Sequence, residues 1–262
     1  MKKELILSIS ILLSCIVLGG FFYVTQVIKK YYIDEQKQIE DVFDNEGNIF
    51  LKYTDGQEKQ LTFTGIDEQV SLSSDNKKIV FLRNIPGKVN IEAFYENDLE
   101  FSGLTTDQVN LSQILVLDLN SMKEEKIFDA GIIKDKYIKN GSNFTDNFNV
   151  ISDIYHPIFS LDGGKVYFMS SAWATSAAIF SVDINTGQIA FISDGNALDV
   201  IREGVFAGGL LVQKHKYFKD VGGSYDHYFV IDDDGNEIKD VGNYGKDEKD
   251  IPTFNLQVQL CG

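Results

Sequence analysis

Apolar and polar positions change regime along this chain. From Leu5 to Ile28 runs a block of 24 residues without a charge, in which Ser8, Ser10, Ser14, Thr25 and Gln26 are the clearly polar members. At about 1.5 Å per helical residue such a block exceeds the roughly 30 Å hydrocarbon core of a bilayer, so it predicts a membrane-spanning helix. Residues 31–40 are polar and charged and read as a juxtamembrane stalk, which leaves 1–30 as the anchor and 41–262 as the ectodomain. In the ectodomain short apolar runs alternate with turns rich in Gly, Asp and Asn, and long helical periodicity is absent. The pattern predicts an all-β fold.

One phrase occurs twice. Leu72-Ser73-Ser74-Asp75-Asn76-Lys77-Lys78-Ile79-Val80-Phe81 and Phe159-Ser160-Leu161-Asp162-Gly163-Gly164-Lys165-Val166-Tyr167-Phe168 each read as strand, tight turn, strand. Each is followed by an apolar strand ending in aspartate, Ile114–Asp118 and Ala178–Asp183. A repeated unit of this kind cannot bury its own apolar face and implies an array of small antiparallel sheets. The pattern places three strands in 41–63, four in 68–129, four in 155–193 and four in 199–242. The tail Phe254–Leu260 alternates like a half-buried strand and would complete the first sheet, giving a small four-bladed β-propeller closed by the C-terminal strand. An open arc and a β-sandwich are the alternatives.

The Ser-Asp-turn-Lys-aromatic phrase resembles the TolB-like β-propeller repeat. The matching residues are Ser160, Asp162, Gly163, Lys165 and Phe168, followed by Asp183, Thr186 and Gly187. In the earlier copy Ser73, Asp75, Lys77, Lys78 and Phe81 match, while Asn76 stands for the glycine and Ser74 for the proline. The resemblance covers about residues 66–195. It implies an extracytoplasmic protein that acts through protein contacts, often within envelope assemblies.

Charge and composition narrow the function. A net charge of -15 argues against a nucleic-acid-binding surface, because attraction to phosphate needs clustered Lys and Arg. Cys15 lies in the apolar block and Cys261 one residue from the end, a spacing that gives neither a disulfide framework nor a zinc site. Lys2 and Lys3 favour a cytoplasmic N-terminus and an extracytoplasmic ectodomain, against the weaker opposing pull of Lys29 and Lys30. A cleaved signal peptide competes with the retained anchor, as does a lipoprotein signal at Leu12-Leu13-Ser14-Cys15. The apolar run continues through Val24, well beyond the core of about 7 to 15 residues of a signal peptide, and this favours retention.

Local signatures of catalysis, including the nucleophile elbow, the zinc-protease helix and the phosphate loop, do not occur, and no cofactor or metal is expected. Asp232-Asp233-Asp234-Gly235-Asn236 fails the calcium-loop register and reads as an acidic turn. A hairpin near Val221-Gly222-Gly223 would set His215 and His227 opposite one another with Asp226 on the other face, a pair too small for a metal site that reads as two surface histidines, and His156 reads as a cap or packing residue. Long excursions at 85–112 and 131–153 and the loop at 170–177 carry Phe94, Tyr95, Phe101, Tyr137, Phe144 and Trp173, which are either contact residues or rings packed on the sheets. The expected function is a membrane-tethered, non-enzymatic module for a protein or envelope partner. The alternative is a carbohydrate- or peptide-processing enzyme with its site in the propeller channel.

Overall fold

The computed structural model describes residues 38–86, 111–132, 137–138, 150–151, 153–218 and 223–243. The helices and strands among them are all strands. A three-stranded sheet takes β1 (Ile39–Asn45), β2 (Asn48–Tyr53) and β3 (Glu58–Gln60) in that order. An antiparallel meander follows in β4 (Asp67–Leu72), β5 (Lys78–Ile85), β6 (Leu111–Asp118) and β7 (Glu124–Asp129). After it come β8 (Gly131–Ile132), β9 (Tyr137–Ile138) and β10 (Val150–Ile151). The third sheet joins β11 (Ile154–Phe159), β12 (Lys165–Ser171), β13 (Ala177–Asp183) and β14 (Ile189–Gly195). The fourth joins β15 (Ala197–Val200), β16 (Leu210–Tyr217), β17 (Ser224–Ile231) and β18 (Glu237–Asn243).

This succession matches the strand count expected from sequence and fits a small propeller. Two pairings were not anticipated: β8 pairs with β10, and β9 adds to β14 as a parallel fifth strand of the third sheet. The expected membrane segment Leu5 to Ile28 and the closing strand Phe254–Leu260 lie outside the described residues. Among the described residues no helix is long and apolar enough to cross a membrane.

Chain compactness defines two units. In the smaller, which includes the described residues 38–41 and 51–59, Lys52 pairs with Glu40 at 3.1 Å and the turn at 53–57 is closed by Tyr53 N donating to Gln57 O at 2.9 Å. The larger unit holds the described remainder and the core. Its centre is the third sheet, because strand side chains point alternately to opposite faces and here both faces are covered. Val166 and Phe168 of β12 pack into a cluster with Val80, Leu82, Ile114 and Phe128 of the second sheet. Tyr167 and Met169 pack into another with Leu198, Leu210, Val212 and Ile231 of the fourth. The strand therefore reads as a continuous apolar run.

The second and third sheets repeat each other in detail. Asn76 at φ 57° occupies the turn position held by Gly163 at φ 71°, a left-handed conformation that asparagine tolerates. Gln69 and His156, separated by the same offset as Ser73 and Ser160, both sit at positive φ where β4 and β11 bulge. The two bulges are linked. Asp44 accepts a hydrogen bond from Gln69 N at 3.2 Å, the Gln69 side-chain oxygen accepts from His156 N at 2.6 Å, and His156 Nε2 donates to Leu198 O at 2.8 Å. His156 is thus a bridge between sheets. Gly235, at φ 85° in the turn between β17 and β18, seats that turn against the third sheet: a Cβ there would lie 2.0 Å from Ile192 O.

Candidate functional site

Carboxylates gather on the side of the sheets where the repeated turns lie, and the local sequence gives each a scaffold task. Ser73 Oγ donates to Asp75 Oδ1 at 2.8 Å and accepts from Lys78 N at 2.9 Å; Ser160 does the same toward Asp162 at 2.6 Å and Lys165 N at 2.9 Å. At the next turn of each sheet Asp118 accepts from Ser121 N and Oγ, and Asp183 from Thr186 N and Oγ. Asp232 accepts from Asn236 N and Nδ2 in the fourth sheet. These bonds favour the charged form. The Ser73 and Ser160 hydroxyls hold Asp75 and Asp162 below the ordinary carboxylate range, and the Ser121 and Thr186 backbone amides do so for Asp118 and Asp183. At Asp232 burial works upward, but the bonds from Asn236 prevail and the group is also lowered.

Beside these turns a cavity of about 670 Å³ opens between the third and fourth sheets. Its walls carry Leu161, Phe206, Val205 and Ile238, the last two being 71% and 53% exposed, together with Asp162, Asp232, Asp233, Lys165 and Tyr167. Lys165 Nζ donates to Asp233 Oδ2 at 2.5 Å. Tyr167 is 1% exposed, and no described residue gives its hydroxyl a hydrogen-bond partner. Burial, then the charges of Asp233 and Asp162, push its ionisation well above the usual tyrosine range, so the hydroxyl stays protonated. Buried tyrosine hydroxyls are normally paired, and an unpaired one costs about 1–3 kcal/mol. A smaller hollow of about 250 Å³, with Asp75 and Lys78, shares Leu161 and Asp162 with the cavity.

Of the aromatic contact residues read from sequence, Phe94, Tyr95, Phe101 and Phe144 lie outside the described residues. Tyr137 is placed only by its strand pairing, with β14. Trp173 packs against the core, with its ring edge-on to Phe191 at 6.5 Å, which is the packed alternative for that ring. The facing histidines are corrected by one residue of register: His215 pairs with Asp226 and His227 with Lys214, so the imidazoles occupy opposite faces. His215 Nδ1 contacts Asp226 Oδ1 at 3.1 Å and His227 Nε2 contacts Asp240 Oδ1 at 2.6 Å. Among the described residues no group of three His, Cys, Asp or Glu side chains could hold a metal ion.

Sequence reasoning missed the cavity and Tyr167, which stands in the repeated phrase where the earlier copy has Val80. It also missed Arg83, which makes bonds of 2.7 and 3.0 Å to the wholly buried Asp67 and of 2.6 and 2.9 Å to Glu124. The bonds to Asp67 outweigh the effect of burial and raise the ionisation of Arg83.

No family model and no curated protein matches the chain. It is similar in fold to TolB from Acinetobacter baumannii, at 16% identity and TM-score 0.40 over 72% of this chain and 38% of that one. It is also similar to dipeptidyl peptidase 4 of Porphyromonas gingivalis, at 15% identity and TM-score 0.45 over 78% of this chain and 31% of that one. A third similarity is to the β-propeller domain of the Trilobed protease from Pyrococcus furiosus, at 11% identity and TM-score 0.39 over 74% and 53%. This chain spans about a third to a half of the length of these structures. TolB and other propellers are thus among the folds it is similar to, as the repeated phrase implied.

Proposed function

We propose that this protein is a membrane-tethered, extracytoplasmic propeller that binds a protein or envelope component without transforming it, and that its partner meets the turn side of the third and fourth sheets. The observation that carries the reading is the state of the carboxylates there. A general acid needs a raised ionisation, whereas Asp75, Asp118, Asp162, Asp183 and Asp232 are all held low by their own turns. Next to them the exposed Val205 and Ile238 offer apolar contact area, the ingredient of a binding surface.

Photocrosslinking of the full chain in intact membranes tests this. Probes placed at positions 205 and 238 are expected to trap a discrete protein adduct, and protease added from outside is expected to remove the ectodomain while sparing the N-terminus. Absence of any adduct from both positions, or an ectodomain protected from external protease, overturns the reading.

A further inference from the structure

Exposed apolar side chains scattered singly are ordinary on a protein surface. Of the six large hydrophobic side chains that stand exposed among the described residues, however, Val205 and Ile238 come from different elements and line one cavity. A local device of the main chain presents each of them. Glu237 pairs with Ile231 and Lys239 with Val230, so Ile238 is the extra residue of a bulge in β18, and a bulge re-aims a side chain. Val205 belongs to the loop between β15 and β16, which is braced by Gly208 N donating to Ile201 O at 2.8 Å, Ile201 N to Gly209 O at 2.9 Å and Gly209 N to Phe206 O at 2.9 Å. Both side chains are β-branched and stiff, so engaging them costs little conformational entropy. Leu161 and Phe206, each packed against a core cluster, continue the apolar lining.

The carboxylates of the lining are already committed within the fold: Asp162 accepts from Ser160 and Gly164, Asp232 from Asn236, and Asp233 from Lys165. What the cavity leaves uncovered is apolar. Three carboxylates against one ammonium still make its surroundings negative in a chain of net charge -15, so a partner segment rich in acids is repelled and one rich in bases is steered in. The volume lies within the range of ligand sites, about 300–1,000 Å³.

We propose that the cavity receives one large aliphatic side chain of the protein partner, packed against Val205, Ile238, Leu161 and Phe206 and flanked in its own segment by basic residues. The inference rests on the binding-module reading and specifies the chemistry of its anchor: apolar contact holds the partner and charge only steers it.

Methyl resonances of Leu161, Val205 and Ile238, recorded for the full chain in lipid nanodiscs, test the assignment with three probes. These are acetyl-Lys-Leu-Lys-amide, its counterpart with serine in place of leucine, and acetyl-Glu-Leu-Glu-amide. The first peptide is expected to shift all three methyls and to bind at least about tenfold more tightly than the serine peptide, the scale of burying one leucine. The glutamate peptide should bind several-fold more weakly at low salt, and the gap should close in about 1 M salt, where steering is screened. Val205→Ser combined with Ile238→Ser should weaken the first peptide about tenfold, read from the Leu161 methyl, at unchanged melting because both side chains are exposed in the free protein. Should the double variant melt lower, Val205→Thr keeps the shape of the side chain and should weaken binding about threefold. No methyl shift at millimolar peptide, equal affinity at low salt for the first peptide and either counterpart, or parental affinity in the substituted chains overturns the proposal. If the membrane crosslinks from positions 205 and 238 persist in such a case, the anchor is wrong and the binding-module reading stands; if they are also absent, both fall.

Discussion

The seams on the two sides of the third sheet are lined by opposite faces of the same strand, yet they are built differently. Toward the second sheet, Phe168 stacks between Phe128 and Phe180 at 5.1 and 5.7 Å, and Phe180 meets Phe191 edge-on at 5.7 Å. Toward the fourth sheet the buried packing is aliphatic apart from Tyr167, and Tyr155 and Phe229 pack against it. It contains Lys214, 6% exposed and paired with Glu237 at 3.0 Å and Asp194 at 3.5 Å, and Tyr167 of the same cluster is among the residues that line the cavity. The contrast teaches a division of labour. A seam filled with rings leaves no room for polar groups, whereas the seam toward the fourth sheet admits a buried ammonium whose charge is balanced by two carboxylates.

The largest effect should come from breaking the first seam. Phe180→Ala removes a ring that contacts two others and should destabilise the fold by about 3–5 kcal/mol, read from urea unfolding; a loss under about 1 kcal/mol would erase the distinction between the seams. Ser160→Ala is intermediate. It removes the hydrogen bonds of the serine hydroxyl to Asp162 and Lys165 and should cost about 1–2 kcal/mol near neutral pH. Because the folded-state ionisation of Asp162 lies below its unfolded value of about 3.9, the stability it contributes is present above that pH and is lost as pH falls through the folded value. The difference between Ser160→Ala and the parent should therefore shrink in unfolding curves taken below about pH 3.9; a difference constant with pH would refute the role of the serine. The smallest effect has the opposite sign. Tyr167→Phe deletes a hydroxyl to which no described residue gives a hydrogen bond and should leave stability unchanged or raise it by up to about 1 kcal/mol, and a marked loss on thermal melting would show that the hydroxyl has a partner in the fold.

Strand number and turn positions were legible because the period of two and the Ser-x-Asp turns are local signals. The functions of Asp75 and Asp162 as turn formers could be read in the same way. What escaped was set by the third dimension. The single-residue register that separates His215 from His227 depends on how the hairpin closes, and a shift of one residue reverses the face of every side chain. Tyr167 and Phe168 look alike in sequence, but one meets the fourth sheet and the other the second. Arg83 carries no signal of its own, since its partner Asp67 is identified only by the pairing of β4 with β5. The parallel addition of β9 to β14 joins segments far apart in the chain and has no local pattern to announce it.

The linked bulges at Gln69 and His156 bear on how such an array diverges. Where Asp44 meets Gln69 and Gln69 meets His156, the joint is made by a side-chain oxygen of one sheet and a main-chain amide of the next, and every non-proline residue supplies that amide. The tie therefore asks little of the side chain that follows it: aspartate and glutamine both serve as acceptors, and at the last step a histidine reverses the polarity by donating to Leu198 O. Copies of the unit can drift apart in residue identity while keeping their spacing, because the coupling is inherited through the shape of the main chain.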